Sequence, residues 1–184
     1  MIARRLFQKD GFRFAVRPYS EADIPRIFAA ADESRRHLGE WMSWMTEGYT
    51  LSGTKEWVRF AISAWDDGEA YEFVIIDQED GAIAGSCGLN RINRMDLVCN
   101  LGYWVRVSKL KLGAARQAAL LLKEIGFNEI GLNRLEIVVA AGNVASQRVA
   151  ESVRAVYEGV QRQRIRVHDT VHDAKMYALL RYGG

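Results

Sequence analysis

Residues 101–116 read LGYWVRVSKLKLGAAR, and this stretch decides the fold. Its apolar and aromatic start indicates the end of a buried strand, a polar loop follows, and Gly113 opens an alanine-rich helix. Helix N-termini present unpaired N–H groups that bind phosphates. The cations of this turn, with no acid between them, are Arg106, Lys109, Lys111 and Arg116. From these residues alone, a diphosphate site and a solvated basic loop before an ordinary helix are both open.

Alternating and periodic apolar residues predict strands and helices on both sides of this stretch. The predicted strands cover residues 12–17, 71–77, 83–92, 97–105, 135–140, 156–167 and 172–180. Helices are predicted after Ser20 and over residues 52–66, 113–130 and 143–153. The residues that helix 52–66 is expected to bury are Trp57, Phe60, Ala61 and Ala64. A strand, a helix and a further strand form a right-handed crossover, so strands 97–105 and 135–140 can be parallel. The fold class is therefore α/β (α+β), with a mixed, mostly antiparallel central sheet flanked by helices.

The composition fits one globular domain over residues 1–184, with 49% hydrophobic and 26% charged residues. The net charge of +2 gives no reason to expect nucleic acid as a partner. No apolar run is long enough to span a membrane, and no apolar segment follows the basic start as it would in a signal peptide. Cys87 and Cys99 are too few for a disulfide framework, so we expect free thiols in the core of a cytoplasmic protein.

Four segments, the first within the stretch quoted above, give the chain a family resemblance. They are 101–105 (LGYWV), 131–137 (GLNRLEI), 143–151 (NVASQRVAE) and 158–160 (EGV), the last followed by His172-Asp173 and Tyr177. Together, and in this order, they resemble the GNAT superfamily of N-acetyltransferases, and within it the Rim-type ribosomal-protein N-terminal acetyltransferases. The resemblance covers nearly the whole chain. It implies a GNAT fold, acetyl-CoA as the co-substrate, an amine as the acceptor and, as in many relatives, a homodimer.

The resemblance also implies a cofactor site around residues 110–115, which read LKLGAA. The family usually has Arg or Gln, two residues, Gly, one residue, then Gly or Ala. Gly113 and Ala115 match the second half, whereas Leu110 replaces the polar residue and Lys111 stands where a glycine is usual. The residues that the resemblance assigns to acetyl-CoA are Trp104, Val105, Arg106, Lys111, Leu112, Gly113, Ala114, Ala115, Asn143 and Ser146.

The implied reaction is direct attack of a neutral amine on the thioester carbonyl. Backbone N–H groups of the strand that carries Trp104 would stabilise the oxyanion. Ser146 would lie near the sulfur and protonate the leaving thiolate; alternatively, it is an inward helix residue or bonds to a nearby carbonyl. Asn143 would bond the pantetheine amide, cap its helix, or do both.

The general base is harder to assign. Many relatives carry Glu two residues before the glycine of Gly-Tyr-Trp, and this position is Asn100, which cannot accept a proton. Glu158, acting through water, is the substitute we name, with a buried hydrogen-bond acceptor as its other role. Glu40 is another possibility. Residues 41–44 (WMSW) match a segment that lines the acceptor groove in the family, although plain core packing explains them equally well.

One group of side chains is a candidate metal site. Around one predicted hairpin lie His168, His172 and Asp173, but the family has a similar His-Asp pair without metal, so no metal is expected.

The predicted function is N-acetyl transfer to a protein or peptide N-terminal α-amine. Two alternatives stay open: a small amine such as an antibiotic, polyamine or amino acid, and a CoA-binding protein of the same fold without turnover.

Overall fold

The computed structural model describes residues 2–182, so Met1, Gly183 and Gly184 of the predicted 1–184 domain lie outside the described residues. The strands in this range are β1 Phe14–Pro18, β2 Tyr71–Asp77, β3 Ile83–Asn93, β4 Val98–Val105, β5 Arg134–Ala140, β6 Val156–Val167 and β7 Thr170–Leu180. These seven strands of the described residues join one sheet in the order β1-β2-β3-β4-β5-β7-β6. Neighbouring strands are antiparallel except for β4 and β5, which confirms the predicted mixed sheet and its parallel pair.

Within residues 2–182, five α-helices cover the sheet. They are α1 Ile24–Asp32, α2 Arg35–Gly39, α3 Leu51–Asp67, α4 Ala114–Glu124 and α5 Val144–Ser152. Ser20, after which a helix is predicted, forms a capping box with Asp23 in a short 3-10 turn before α1. A π-helical turn, Ile125–Ile130, extends α4 until Gly131 ends it in the left-handed conformation with φ 84°. The predicted helix 113–130 is therefore present, but it changes type near its end.

The helices lie on two faces. On one face α4 packs against the strands with its buried alanine and leucine side chains, of which Ala118, Ala119 and Leu122 are fully enclosed. On the other face α1 and α3 pack against β3 and β2. This second face holds the candidate functional site, because its helices leave a space above the middle of the sheet.

The face that α3 buries differs from the prediction. Ala61 and Ala64 are buried as expected, but Trp57 and Phe60 are 43% and 55% exposed. The apolar stripe of the helix instead contains Thr54, Val58, Ala61 and Trp65, at spacings of four, three and four residues. The prediction was wrong because large apolar side chains were expected in the core, whereas Trp57 borders a cavity.

The parallel strands β4 and β5 separate soon after they meet. Their ladder contains three pairs, Val98 with Arg134, Cys99 with Leu135 and Asn100 with Glu136. Beyond Asn100, β4 continues to Val105 and β5 to Ala140 without pairing to each other. The sheet therefore opens between these strands, beside the residues that the family resemblance assigns to acetyl-CoA.

Gly85 fixes the other edge of β4. A Cβ at Gly85 would lie 2.1 Å from the carbonyl oxygen of Trp104, and its φ of 155° disfavours larger residues. A glycine at this position thus lets β3 hold the end of β4 closely while the opposite edge of β4 is open.

Both cysteines are buried and free, as predicted. Burial raises the pKa of the Cys99 thiol to about 12 and that of Cys87 well above its ordinary value. These thiols are therefore protonated and unreactive at neutral pH. Within residues 2–182, no helix has the length and apolar character needed to cross a membrane.

Candidate active site

A cavity of about 420 Å³ lies on the α1 and α3 side of the sheet. Its floor is formed by β2, β3 and β4, and its walls are mostly aromatic. The wall side chains are Tyr19, Met42, Trp44, Tyr49, Trp57 and Trp104. A cavity with apolar walls and a few polar groups on its floor is typical of a small-molecule or side-chain binding site.

The aromatic segment 41–44 divides between two environments. Met42 and Trp44 line the cavity, and the Trp44 ring lies 5.9 Å from that of Trp104. Trp41 instead packs against Gly142 and lies near the His172 ring, with the ring centroids 6.3 Å apart. Half of the segment therefore borders the space in which an acceptor would bind.

The floor of the cavity contains one acid, Glu72 of β2. Its side chain crosses over Gly88 of β3, since a Cβ on that glycine would lie 1.9 Å from Glu72 Oε2. Asn90 donates from Nδ2 to Glu72 Oε1 at 2.9 Å, and Asn100 donates from Nδ2 to Asn90 Oδ1 at 3.0 Å. Asn100, which stands at the family's usual base position, is thus the first member of a hydrogen-bonded chain that ends on a carboxylate.

The surroundings of Glu72 favour its neutral form. Burial raises the pKa of this carboxyl to about 7, and the hydrogen bond from Asn90 offsets only part of that effect. Nearby, the Tyr19 hydroxyl lies 2.5 Å from Ser86 Oγ, which donates to the carbonyl of Phe73. Glu72 was not among the site residues predicted from the sequence. The available signal was a single acid within the otherwise apolar run YEFVII of β2.

A pair of hydroxyl groups lies at the opening between β4 and β5. Tyr103 Oη is 2.9 Å from Ser146 Oγ and 3.2 Å from the Ser146 carbonyl oxygen. Burial raises the pKa of the Tyr103 hydroxyl to about 12, although the bond to Ser146 lowers it in part. Tyr103 is carried by β4 and Ser146 by α5, which follows β5, so the pair connects the two sides of the opening. Asn143 caps α5 by accepting from the Ser146 N–H at 3.0 Å.

Two of the four cations around residues 106–116 have acidic partners from distant parts of the chain. Arg106 binds Glu33, which also accepts from the Ser108 hydroxyl at 2.6 Å. The hydrogen bonds from Arg106, with those from Ser108, lower the pKa of Glu33 to about 2. Lys109 binds Asp77 at 2.7 Å and also Asp80. The charge predicted for a phosphate is therefore largely neutralised at Arg106 and Lys109.

The other two cations, Lys111 and Arg116, make no ion pair within residues 2–182. Lys111 adopts the left-handed backbone conformation, with φ 61°. Glycine, the usual residue of the family at this position, adopts this conformation without strain, whereas lysine does not. Leu110 packs against the main core, which explains an apolar residue in place of a polar one. The loop thus has a left-handed residue at the position where the family usually has a glycine, while its side chains differ from the family pattern.

Gly113 precedes α4 with φ 86°, and no side chain caps the helix. The first N–H groups of the helix are therefore available to an anion. Ala114 is buried, Ala115 lies against the core, and Leu112 is exposed. These positions leave the helix N-terminus free of bulky side chains.

The carboxylates that we named as bases lie away from the cavity lining. Glu158 of β6 binds Arg134 through both oxygens, one of them at 2.7 Å from Nη1. The hydrogen bonds from Arg134 lower the pKa of Glu158, which weakens it as a base. Glu40 is exposed, and neither acid is among the residues that line the cavity.

Two members of the hairpin group, His168 and Asp173, have structural partners. His168 Nε2 lies 3.0 Å from the carbonyl oxygen of Gly39, and Asp173 accepts from the Gln163 N–H at 2.8 Å. Within the described residues 2–182, no group of three or more His, Cys, Asp or Glu side chains is arranged to hold a metal ion.

The chain matches a known family over most of its length. Residues 13–156 match the family model described as an acetyltransferase (GNAT) domain. The chain belongs to the GNAT family of acetyltransferases. Among its relatives, it is 25% identical over 171 residues to YdaF of Bacillus subtilis (strain 168), provisionally named a ribosomal N-acetyltransferase, and the match covers 90% of each chain. It is 30% identical over 115 residues to the uncharacterized N-acetyltransferase p20 of Bacillus licheniformis, covering 62% of this chain and 65% of p20.

Solved structures share the GNAT fold. RimL, a ribosomal L7/L12 alpha-N-protein acetyltransferase in complex with coenzyme A, superposes with a TM-score of 0.88 at 22% identity, covering 96% of this chain and 98% of RimL. The microcin C7 self immunity acetyltransferase MccE, in complex with acetyl-CoA and AMP, gives 0.86 at 16% identity, covering 94% and 93%. The family match identifies the chain as an acetyl-CoA-dependent acyltransferase, and the solved structures show that it shares their fold.

Proposed function

We propose that this GNAT enzyme acetylates the N-terminal α-amine of a protein or peptide. The observation that carries acetyl transfer is the opening between β4 and β5, which has the Tyr103–Ser146 hydroxyl pair beside it and the aromatic cavity on one face of the sheet. The names of RimL and YdaF support a ribosomal protein as the acceptor. RimL is an alpha-N-protein acetyltransferase, so a chain terminus is the simplest acceptor for this fold.

Acetyl-CoA would bind along β4 and the start of α4. The contacting residues in this proposal are those named from the sequence: Trp104, Val105, Arg106, Lys111, Leu112, Gly113, Ala114, Ala115, Asn143 and Ser146. The uncapped N–H groups after Gly113 and the unpaired charge of Lys111 fit a diphosphate. Arg106 contributes less, because Glu33 already binds its guanidinium group.

The chain's own groups can perform the remaining steps. Backbone N–H groups on the open edge of β4 near Trp104 would stabilise the oxyanion. The Tyr103–Ser146 pair would supply a proton to the leaving sulfur, since Ser146 Oγ and Tyr103 Oη are already hydrogen bonded. Asn143 uses its oxygen to cap α5, which leaves its amide nitrogen for the pantetheine.

A small amine is the second candidate acceptor. The cavity volume of about 420 Å³ is enough for a compact ligand, and the similar structure of MccE is that of a microcin C7 self immunity acetyltransferase. Cytoplasmic location, absence of nucleic acid as a partner, and homodimer formation stay predictions from the sequence.

Two measurements test the proposed function. Calorimetric titration with acetyl-CoA should give binding that Gly113→Trp abolishes and Lys111→Ala weakens. Release of CoA thiol, followed with a thiol-reactive dye, should then be faster with peptides that have a free N-terminus than with polyamines, amino acids or N-formylated peptides. The buried Cys87 and Cys99 keep the background of this assay low. Faster turnover with the small amines would instead establish the second candidate.

Matched serine variants of α5 test the proton donor. Ser146→Ala should lower kcat, whereas Ser152→Ala should not, because the Ser152 hydroxyl is exposed and bonds to the carbonyl of Val149. Equal kcat values for the two variants would contradict the role of Ser146. Absence of acetyl-CoA binding at millimolar concentration would contradict the proposed function as a whole.

A further inference from the structure

Glu72 is a buried carboxylate that lacks a cation. Its residue is only 6% exposed, and across residues 2–182 it makes no ion pair; its hydrogen-bond partner is the amide of Asn90. A buried charge is costly unless an opposite charge or several hydrogen bonds compensate it. Because Glu72 borders the cavity, a bound ligand can supply the missing positive charge.

Two glycines leave a path from Glu72 to the opening between β4 and β5. The strand register places Glu72 beside Gly88 and Gly88 beside Gly102, so the three residues form one row across β2, β3 and β4. The carboxylate already lies over Gly88. Adjacent strands are about 4.8 Å apart, so the carboxylate is about one strand spacing from Gly102. No side chain stands in this row between the acid and the open edge of β4.

The walls above this row suit an organic cation. Trp44, Trp57 and Trp104 line the cavity together with Tyr19 and Tyr49. The faces of indole and phenol rings attract ammonium groups, most strongly in a site shielded from water. The same rings can pack against the carbon atoms that follow an amine. The cavity therefore combines an unpaired acid with aromatic walls.

We propose that Glu72 binds the acceptor as a primary ammonium ion and removes one of its protons. This inference rests on the proposed acetyl transfer and adds to it a binding group for the acceptor and a general base. It replaces Glu158 and Glu40 as the base predicted from the sequence. The favoured acceptor is a primary ammonium ion whose neighbouring atoms are uncharged or apolar, because a carboxylate next to the amine would repel Glu72.

Atoms and charge balance in the proposed acetyl transfer. Glu72 takes one proton from the ammonium ion, and the nitrogen lone pair forms the bond to the thioester carbonyl carbon. The carbon–sulfur bond then breaks as a second proton passes from the nitrogen to the sulfur through the Tyr103–Ser146 hydroxyl pair, which ends unchanged. The products are an N-acetyl amide and the CoA thiol, and Glu72 returns its proton to solvent.

The groups that face Glu72 do not titrate near neutrality. They are Asn90 from β3, the Tyr19 hydroxyl before α1 and, through the sheet, the Cys87 thiol, while α3 contributes the uncharged Trp57. Burial raises the pKa of Tyr19 and of Cys87, so both are protonated in the working range. The pKa of Glu72, about 7, suits a base at that pH, and kcat/KM should rise with pH as Glu72 ionises.

The first test compares Glu72→Gln with Glu69→Gln, which makes the same change at an exposed position three residues earlier. With the best peptide acceptor, Glu72→Gln should keep the acetyl-CoA Kd, lower kcat/KM by about 100-fold and lose the rise with pH, while Glu69→Gln behaves as wild type. A Glu72→Gln enzyme with nearly wild-type kcat/KM would overturn the role of Glu72 and leave acetyl transfer intact. A wild-type protein that does not bind acetyl-CoA would overturn both.

The second test needs no turnover. Tryptophan fluorescence can follow binding of hexylammonium and of its neutral analogue 1-hexanol at about pH 8, where the ammonium is charged and Glu72 is ionised. Wild-type protein should prefer hexylammonium by about tenfold or more, and Glu72→Gln should lose this preference. Equal affinity of wild-type protein for the two ligands, or binding of neither, would overturn the ammonium site.

A third variant keeps the acid and blocks its path. Gly102→Ala adds a methyl group whose nearest neighbour would be Asn100 Nδ2 at 3.6 Å, an ordinary contact, so folding should be unaffected. The variant should retain its preference for hexylammonium but lose at least about tenfold in kcat, because the methyl separates the amine from the open edge of β4. Unchanged kcat would overturn the path between Glu72 and β4.

Discussion

Replacement of Glu72 by Gln should make the protein more stable above neutral pH. The carboxyl group has a reference pKa of 4.5 and, because of burial, a pKa of about 7 in the folded protein. Each pKa unit corresponds to about 1.4 kcal/mol, so the folded state resists ionisation of Glu72 by at most about 3 kcal/mol. Glutamine has nearly the same shape and no charge, and it can still bond to the Asn90 amide.

The direction in which the free energy of unfolding changes with pH follows from the order of the two pKa values of Glu72. Below about pH 4.5 the carboxyl is protonated in both states and contributes no penalty. Between about pH 4.5 and pH 7 the unfolded chain ionises first, so the free energy of unfolding falls as the pH rises. Above about pH 7 the full penalty is present. The stability gained by Glu72→Gln should therefore be small at about pH 5 and reach about 2–3 kcal/mol at about pH 8.

Urea denaturation at several pH values, followed by tryptophan fluorescence, measures this difference. Glu69→Gln is the control, because its exposed side chain should change stability little at any pH. A Glu72→Gln protein that is less stable than wild type at about pH 8 would refute the reasoning. A difference that does not vary with pH would refute it too, since it would mean that Glu72 has an ordinary pKa in the folded protein.

Three further predictions concern the loop, the glycine row and the hydroxyl pair. Lys111→Gly should be more stable than Lys111→Ala by about 1 kcal/mol in chemical denaturation, because φ at this position is 61°; equal stabilities would contradict the strained conformation. Gly88→Ala should destabilise the protein by about 1–3 kcal/mol and displace Glu72, and the loss should shrink in a Glu72→Ala background, as a double-mutant cycle can measure. Tyr103→Phe and Ser146→Ala should each lower kcat by about 100-fold, and the double variant should be little worse than either single one; additive losses would mean that the two hydroxyls act separately.

Much of the fold was predictable because it depends on local patterns. Alternating residues gave the strands to within a few positions, and Ser20 marked the start of a helix. The crossover rule gave the parallel pair of β4 and β5. The face of α3 was wrong because periodicity cannot distinguish a tryptophan that packs in a core from Trp57, which borders a cavity.

The site was less predictable because it depends on pairing between distant segments. The acids that neutralise Arg106 and Lys109 come from residues 33, 77 and 80, far from the loop in sequence. Glu72 and Gly88 are each visible in the sequence, but their contact depends on the register of β2 against β3. The left-handed Lys111 could not be deduced either, since a lysine carries no sign of that conformation.

The register also explains how an amide at residue 100 is compatible with catalysis. A glutamate at residue 100 would bring its carboxylate to the cavity floor from β4, the strand that borders the opening to β5. Here the carboxylate comes from β2, reaches across β3 because Gly88 has no side chain, and is held by Asn90, which Asn100 in turn contacts. Asn100 therefore acts as the far support of the acid. Substitution at Asn100 should make the position of the Glu72 side chain less well defined, because Asn90 would lose its support. Residue 100, the family's usual base position, and Glu72, the acid of this protein, are thus the two ends of one series of hydrogen bonds.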